Sequence, residues 1–333
     1  MTGARGRVVI ESGALSIAID TAIGGTIATI EHKGCGASIL GRVPWTPEAQ
    51  PPANVSAPDE SAWLRHYTGG WPLLFPNAGD ACRIDDVFHG FHGEASLARW
   101  RAETRPTAVR LTHRFATVPV EMEREIALEG EMLTIRERVR MLGSAPIRVM
   151  WGHHPSFGSD LLAGPVEIRS GARHVLVDDR YDPASNPLRP GASGAWPRVP
   201  GKTGIVDLSR PAGPMASLAY LQDFDSAWVS IQRRDGFVGV ALSWDTAVFP
   251  CAWLWCELEG TADPPWNGKT RLIGVEPSTT WPGNGLAEAL RRQAPLLTLQ
   301  PGTEIETAVR LHVFKPGGPV RAVDAKGCAV FSA

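Results

Sequence analysis

Four short stretches concentrate histidine, tryptophan and carboxylate side chains. They are Gly69-Gly70-Trp71-Pro72-Leu73-Leu74-Phe75-Pro76-Asn77-Ala78-Gly79; Phe88-His89-Gly90-Phe91-His92-Gly93-Glu94, with Trp100 beyond it; Trp151-Gly152-His153-His154-Pro155-Ser156-Phe157-Gly158; and Leu272-Ile273-Gly274-Val275-Glu276-Pro277. Histidine titrates near neutrality and can give or take a proton. A partly buried glutamate has a raised pKa and is a better base. Tryptophan rings stack on the apolar faces of sugars and also fill cores. Two chemistries fit: acid–base work on a sugar hemiacetal, and a histidine-bound metal.

Spacing narrows the choice. In extended chain His153 and His154 point to opposite faces, and so do His89 and His92, leaving one of each pair for a shared pocket. His154 precedes a proline, which keeps it extended. Gly152 shares its parity and leaves room for a ligand to approach the backbone. Any of these histidines also reads as a hydrogen-bonded structural residue. Glu276 shares a strand face with Gly274 and Leu272, and Pro277 is expected to stop the ladder. It is either a partly buried base or a solvated strand end. Trp253, Trp255 and Glu257 share another face, as a sugar platform or as core. A metal site of three or more ligands must recruit Glu94 or Glu276. The spacing matches no compact metal motif, so no metal is expected.

These residues need a scaffold, and the pattern around them is that of strands. Val120, Met122, Ile126 and Leu128 alternate with Glu121, Glu123 and Glu125. After Gly130, Leu133, Ile135, Val139 and Met141 alternate with Thr134, Arg136, Arg138 and Arg140. Period two means one wet face and one buried face, here in a hairpin. Its register pairs Arg124 with Glu137 on the apolar face, either as a partly buried ion pair or at an edge where both side chains reach water. Further strands are expected at 15–20, 26–32, 147–154, 227–232, 238–244, 252–257, 272–276 and 307–314. Only 286–293 reads as a helix. The Pro/Gly-rich stretches 42–62 and 179–214 are too long for ordinary connections and read as functional loops or surface excursions. The expected fold is all-β: one large, mostly antiparallel β-sandwich domain over 1–333 with very little helix.

Composition sets outer bounds. Of 333 residues 43% are hydrophobic and 20% charged, and the net charge is −2. That balance gives no basic footprint for nucleic acid. The five cysteines are odd in number and hold no Cys-x-x-Cys pair, against a disulfide framework. Met1 to Arg7 leads into only a short apolar run, and no stretch of about 18 apolar residues follows. A cytoplasmic protein without a membrane partner is expected.

Together and in order, the four stretches resemble the aldose 1-epimerase (galactose mutarotase-like) family, along nearly the whole chain. The resemblance implies a large β-supersandwich, a groove site and a cofactor-free mechanism. Glu276 stands at the catalytic base and His154 at the catalytic acid. His92 would hold a hydroxyl or the charge developing at the ring oxygen. Asn77 and one or more of Trp71, Trp151 and Trp255 would line the pocket. Well-studied members carry Asn-Arg where this chain has Asn77-Ala78-Gly79, which leaves Arg124 or Arg83 to contact the sugar. His89-Gly90 competes with His92-Gly93 for the His-Gly element.

The implied activity is interconversion of the anomers of a free aldose, by a monomer or homodimer. Three other readings share the fold or the residues. A non-catalytic sugar sensor has no need of an acid–base pair. A sugar-phosphate epimerase needs a cationic clamp, for which Arg233-Arg234 and Arg291-Arg292 are the basic pairs. A glycosidic lyase or hydrolase needs a second carboxylate, Glu257 or Glu94, beside Glu276.

Overall fold

The hairpin around Gly130 forms in the expected register. Val120–Glu129 pairs with Met132–Met141, setting Met122 opposite Val139, Arg124 opposite Glu137 and Ile126 opposite Ile135. Burial alternates along both strands, as period-two patterning requires. The structure is a computed structural model that describes residues 6–48, 50 and 55–332. The leader reading of residues 1–5, and part of the 42–62 stretch, fall outside the described residues.

This hairpin belongs to a sheet of 14 strands. At the other end of that sheet Leu73–Leu74, Gly152–His153, Arg271–Ser278, Cys251–Leu258 and Met215–Arg233 lie side by side. Three of the four sequence stretches singled out for chemistry are thus neighbours in one sheet; the fourth begins in Val87–His89, which pairs with Cys82–Ile84 in a separate two-stranded sheet. Met215–Arg233 pairs through its first half with Cys251–Leu258 and through its second half with Gly239–Ser243. A strand that changes partner midway lets a sheet turn over on itself. The strands Arg7–Glu11, Leu15–Asp20, Thr26–His32 and Ala37–Ser38 form a separate four-stranded sheet. Ile17 and Ile27 of that sheet share one apolar cluster with Leu111, Ile135, Leu254, Ile273 and Val313 of the large one. Sheet packs on sheet, as a sandwich demands.

Several boundaries differ from expectation for physical reasons. Arg271–Ser278 runs past Pro277, which pairs with Ala252; a proline fits extended backbone and forfeits one donor only. The expected strand 147–154 is two: Ile147–Val149 pairs with Leu297–Leu299, and Gly152–His153 pairs with Leu73–Leu74. Residues 215–226 belong to a strand not foreseen. The first half of that strand is buried with little alternation, so it lacks a period-two signal. The expected helix is Leu286–Arg291 (α2), and a second short helix, Glu60–Leu64 (α1), lies partly in the 42–62 stretch. Among the described residues no helix is long and apolar enough to cross a membrane.

Candidate active site

Extended backbone through Trp151–His154 sends alternate side chains to opposite faces. His153 goes into the core, where Trp71 Nε1 donates to its Nδ1 (3.1 Å) and its Nε2 donates to Glu137 (3.1 Å). His154 goes the other way, into a cavity of about 150 Å³ that it shares with Glu276 and His92. Glu276 comes from the adjacent Arg271–Ser278 strand, and its Oε1 lies 3.7 Å from His154 Nε2. Only 2% of Glu276 and 6% of His154 is exposed.

Burial dominates the electrostatics. It pushes the Glu276 carboxyl well above the ordinary range and drops His154 to about 4. His92 is also lowered, by burial first and by the neighbouring His154 second. Although His154 and Glu276 stand at ion-pair distance, both shifts favour the neutral forms, and desolvation of two charges is costly enough to outweigh their attraction.

Local bonds fix the proton positions. Gly79 N–H donates to His92 Nδ1 (3.0 Å), so the neutral ring carries its proton on Nε2. His92 itself sits at φ +58°, a conformation sparse for non-glycine residues and typical of functional turns. At Gly79 (φ +80°) a β-carbon would stand 1.8 Å from Gly283 O, so only glycine closes this turn. Behind His154, Ser156 Oγ lies 3.2 Å from Nδ1 and 2.5 Å from Tyr67 Oη. Burial raises the Tyr67 phenol above its usual range, so it stays protonated and donates to Ser156. Ser156 Oγ is thereby held as the partner of His154 Nδ1. Nε2 is the side nearer Glu276.

Aromatic rings wall the cavity. Trp63 of α1 stacks on Tyr67 at 4.5 Å and meets His92 edge-on at 4.7 Å. Trp255 lies edge-on to His154 at 5.6 Å, with Trp266 a further 5.7 Å from it. α1 is placed by Asp59, whose side chain caps it through Ala62 N, and by Trp63 Nε1 donating to Ser96 Oγ.

Solved structures share this architecture. A galactose mutarotase-like protein from Clostridium acetobutylicum matches with a TM-score of 0.64 over 93% of this chain and 95% of its own, at 15% identity. A galactose mutarotase related enzyme from Lactobacillus acidophilus matches at 0.63 over 92% and 97%, at 14% identity. A GalM/aldose epimerase homologue from C. elegans matches at 0.60 over 94% and 99%, at 12% identity. The fold is that of the galactose mutarotase-like proteins. No family model and no curated protein matches the chain in sequence.

On this mutarotase-like fold, Glu276, His154, His92 and Trp255 come together at the cavity, and four other expected residues do not. Arg124 is corrected to a core residue. Its Nε donates to Glu137 over 2.7 Å, it packs over Trp100, and it is fully buried. Trp71 and Trp151 share the core side with His153; Trp151 packs on Phe249 at 5.1 Å. Asn77 is a brace. Its amide donates to Asp80 O and Gly90 O (2.9 Å each) and its carbonyl accepts from Leu286 N (2.7 Å). It thereby ties the turns that carry Asp80 and His92 to the start of α2. His89 is buried away from the cavity, and Arg83 bonds Asp86 O at the surface.

The other candidate partners are engaged elsewhere. Glu94 accepts from Ala116 N and Thr117 N, and Glu257 from Gly260 N and Thr261 N. Neither stands beside Glu276 as a second carboxylate. Arg233 pairs with Asp235, and Arg291 and Arg292 with Glu288, so neither basic pair clamps the cavity. Sequence reasoning missed Glu60, Trp63, Tyr67, Tyr181 and Trp266 as cavity residues. Asp59 ahead of Trp63 and Tyr67, four residues apart, was the signal for the α1 wall.

Proposed function

We propose that this protein is an aldose 1-epimerase-like isomerase of cytoplasmic carbohydrate metabolism that interconverts the anomers of a free aldose. One observation carries the reading: a buried carboxylate and a buried imidazole, 3.7 Å apart, share a small aromatic cavity.

Glu276, as carboxylate, takes the proton of the anomeric O1 hydroxyl. His154, as imidazolium, gives a proton to the ring oxygen O5. The C1–O5 bond breaks, C1=O1 forms, and rotation about C1–C2 presents the other face. Ring closure returns both protons. His92 Nε2–H is available to a hydroxyl or to charge developing at O5, and Trp63 and Trp255 offer rings to the sugar's apolar face. Each positioned proton-transfer group typically supplies about 10²–10⁴-fold.

The pair holds one proton throughout. It begins as carboxylate and imidazolium and ends as carboxylic acid and neutral imidazole. Burial favours the second arrangement. The carboxylate–imidazolium form that starts ring opening is therefore the less stable one, and the pair relaxes to its favoured neutral form as the ring opens.

Polarimetry on freshly dissolved single anomers of several aldoses tests this. Faster approach to equilibrium with the protein supports the epimerase. Sugar binding without acceleration of any aldose would instead make the protein a sensor.

A further inference from the structure

The mouth of the cavity carries more negative charge than the protein offsets. Glu60 and Asp80 both line it, while Glu276 deeper in is held neutral by burial. Burial raises the Glu60 carboxyl, and the charges of Asp80 and Asp59 raise it further. Asp80 is raised by burial, opposed by Arg180 and reinforced by Asp178 and Glu288. Arg180 approaches Asp80 only to 3.7 Å and is itself half exposed. Among the described residues no lysine or arginine lines the cavity.

Two independent features point to a ligand here. The Glu276 carboxyl is 2% exposed, faces the cavity, and accepts no hydrogen bond from the described residues. Trp63, Phe91, Trp255 and Trp266 also line the space, and aromatic faces attract cations. A phosphorylated or carboxylated sugar would meet like charge without the cationic fork that such groups need.

We propose that the site selects aldoses by charge: an amino sugar with a protonated amine is preferred, an uncharged aldose is accepted, and anionic sugars are excluded, with Glu60 and Asp80 setting the order. This rests on the cavity being a sugar site. The ammonium group would lie at the Glu60–Asp80 mouth, while the hydroxyls and ring reach Glu276, His154 and the tryptophans.

The test reads binding, not turnover, through quenching of tryptophan fluorescence at pH 7 and low salt. D-glucosamine, D-glucose, D-glucose 6-phosphate and D-glucuronate are titrated into the wild type, Glu60→Gln, and Glu60→Gln/Asp80→Asn. Glucosamine should bind about tenfold more tightly than glucose, the scale of one partly screened charge pair, and the two anions more weakly than glucose. The double variant should bring the glucosamine-to-glucose ratio close to one. Anions binding as tightly as glucose, or an order unchanged in the double variant, overturns the inference. Binding in the expected order without anomer exchange overturns the epimerase and leaves the charge selection standing. Absence of binding by every sugar overturns both.

Discussion

A β-carbon built on Gly274 would stand 2.5 Å from Oε1 of Glu276. The carboxyl lies back over its own strand, in space that only a glycine two residues earlier leaves open. Gly274→Ala forces the flexible carboxyl end aside with little change to the strand. Anomerase activity should fall about tenfold or more, because a misplaced catalytic group is costly. The thermal midpoint should move by only a few degrees. Activity and melting measured on one preparation check this; full activity would show that Glu276 does not act from its observed position.

Ser156 positions His154 and does not meet the sugar in this scheme. Removing its hydroxyl by Ser156→Ala deletes the partner of Nδ1 and strands the Tyr67 proton. The imidazole then loses its fixed orientation. kcat should drop about 10–100-fold, the usual cost of losing a partner that orients a histidine, while KM stays within a factor of a few. The acid limb of the pH profile should shift in the same variant, which a purely structural loss would not produce. Ser156→Thr keeps the hydroxyl and should restore much of the rate.

The pH profile of kcat/KM follows from the shared proton. The doubly protonated pair lacks a base, and it loses its first proton near the His154 value of about 4. The fully deprotonated pair lacks an acid, and it forms only above the raised Glu276 value. Activity should therefore rise through about pH 4, hold a plateau, and decline on the alkaline side. Rates measured across that range in a non-nucleophilic buffer decide the matter; an acid limb at the ordinary histidine value of 6.5 would contradict the burial argument.

Stability should respond to the core network at Glu137. Burial alone would raise this carboxyl, but His153 and Arg124 outweigh it and hold it at about 2. A depressed native pKa means that the stabilisation is present above the unfolded value of 4.5 and lost as pH falls from there toward 2. Glu137→Gln leaves Arg124 buried without its counter-charge and should cost about 3–5 kcal/mol at neutral pH. It should also flatten the acid-side slope. Urea unfolding at pH 7 and across the acid range measures both; a loss under about 1 kcal/mol would mean the pair is dispensable.

How far these residues were readable from the sequence depends on how local their determinants are. The Arg124–Glu137 pair followed from alternation and a two-strand register. The same parity rule places Trp151 with His153 and not with His154, so the core position of Trp151 was readable and was masked by its place in a recognised stretch. Arg124 likewise cannot both neutralise Glu137 and reach a pocket. The choice of His92 over His89 was not readable. It depends on a left-handed turn at His92 held by Gly79, thirteen residues away in sequence and adjacent only in space. Asp59 and the Trp63/Tyr67 spacing announce the helix α1, whereas its docking against Ser96, which makes it a wall of the cavity, is a contact no periodicity announces. Asn77 was drawn to the site by its place in the stretch, whereas its three bonds make it a brace for the turns around it.

The most direct test of acid–base ring opening by this pair is two-dimensional proton exchange spectroscopy at equilibrium. Cross-peaks between the α and β anomeric protons of an accepted aldose are integrated for the wild type, Glu276→Gln, His154→Gln and the double variant. The wild type should exchange the anomers readily. Each single variant should lose about 10²–10⁴-fold, and the double variant should be little worse than the poorer single, because the two groups act as one unit. Wild-type exchange surviving in either single variant would contradict the assignment of Glu276 and His154 as the reacting pair.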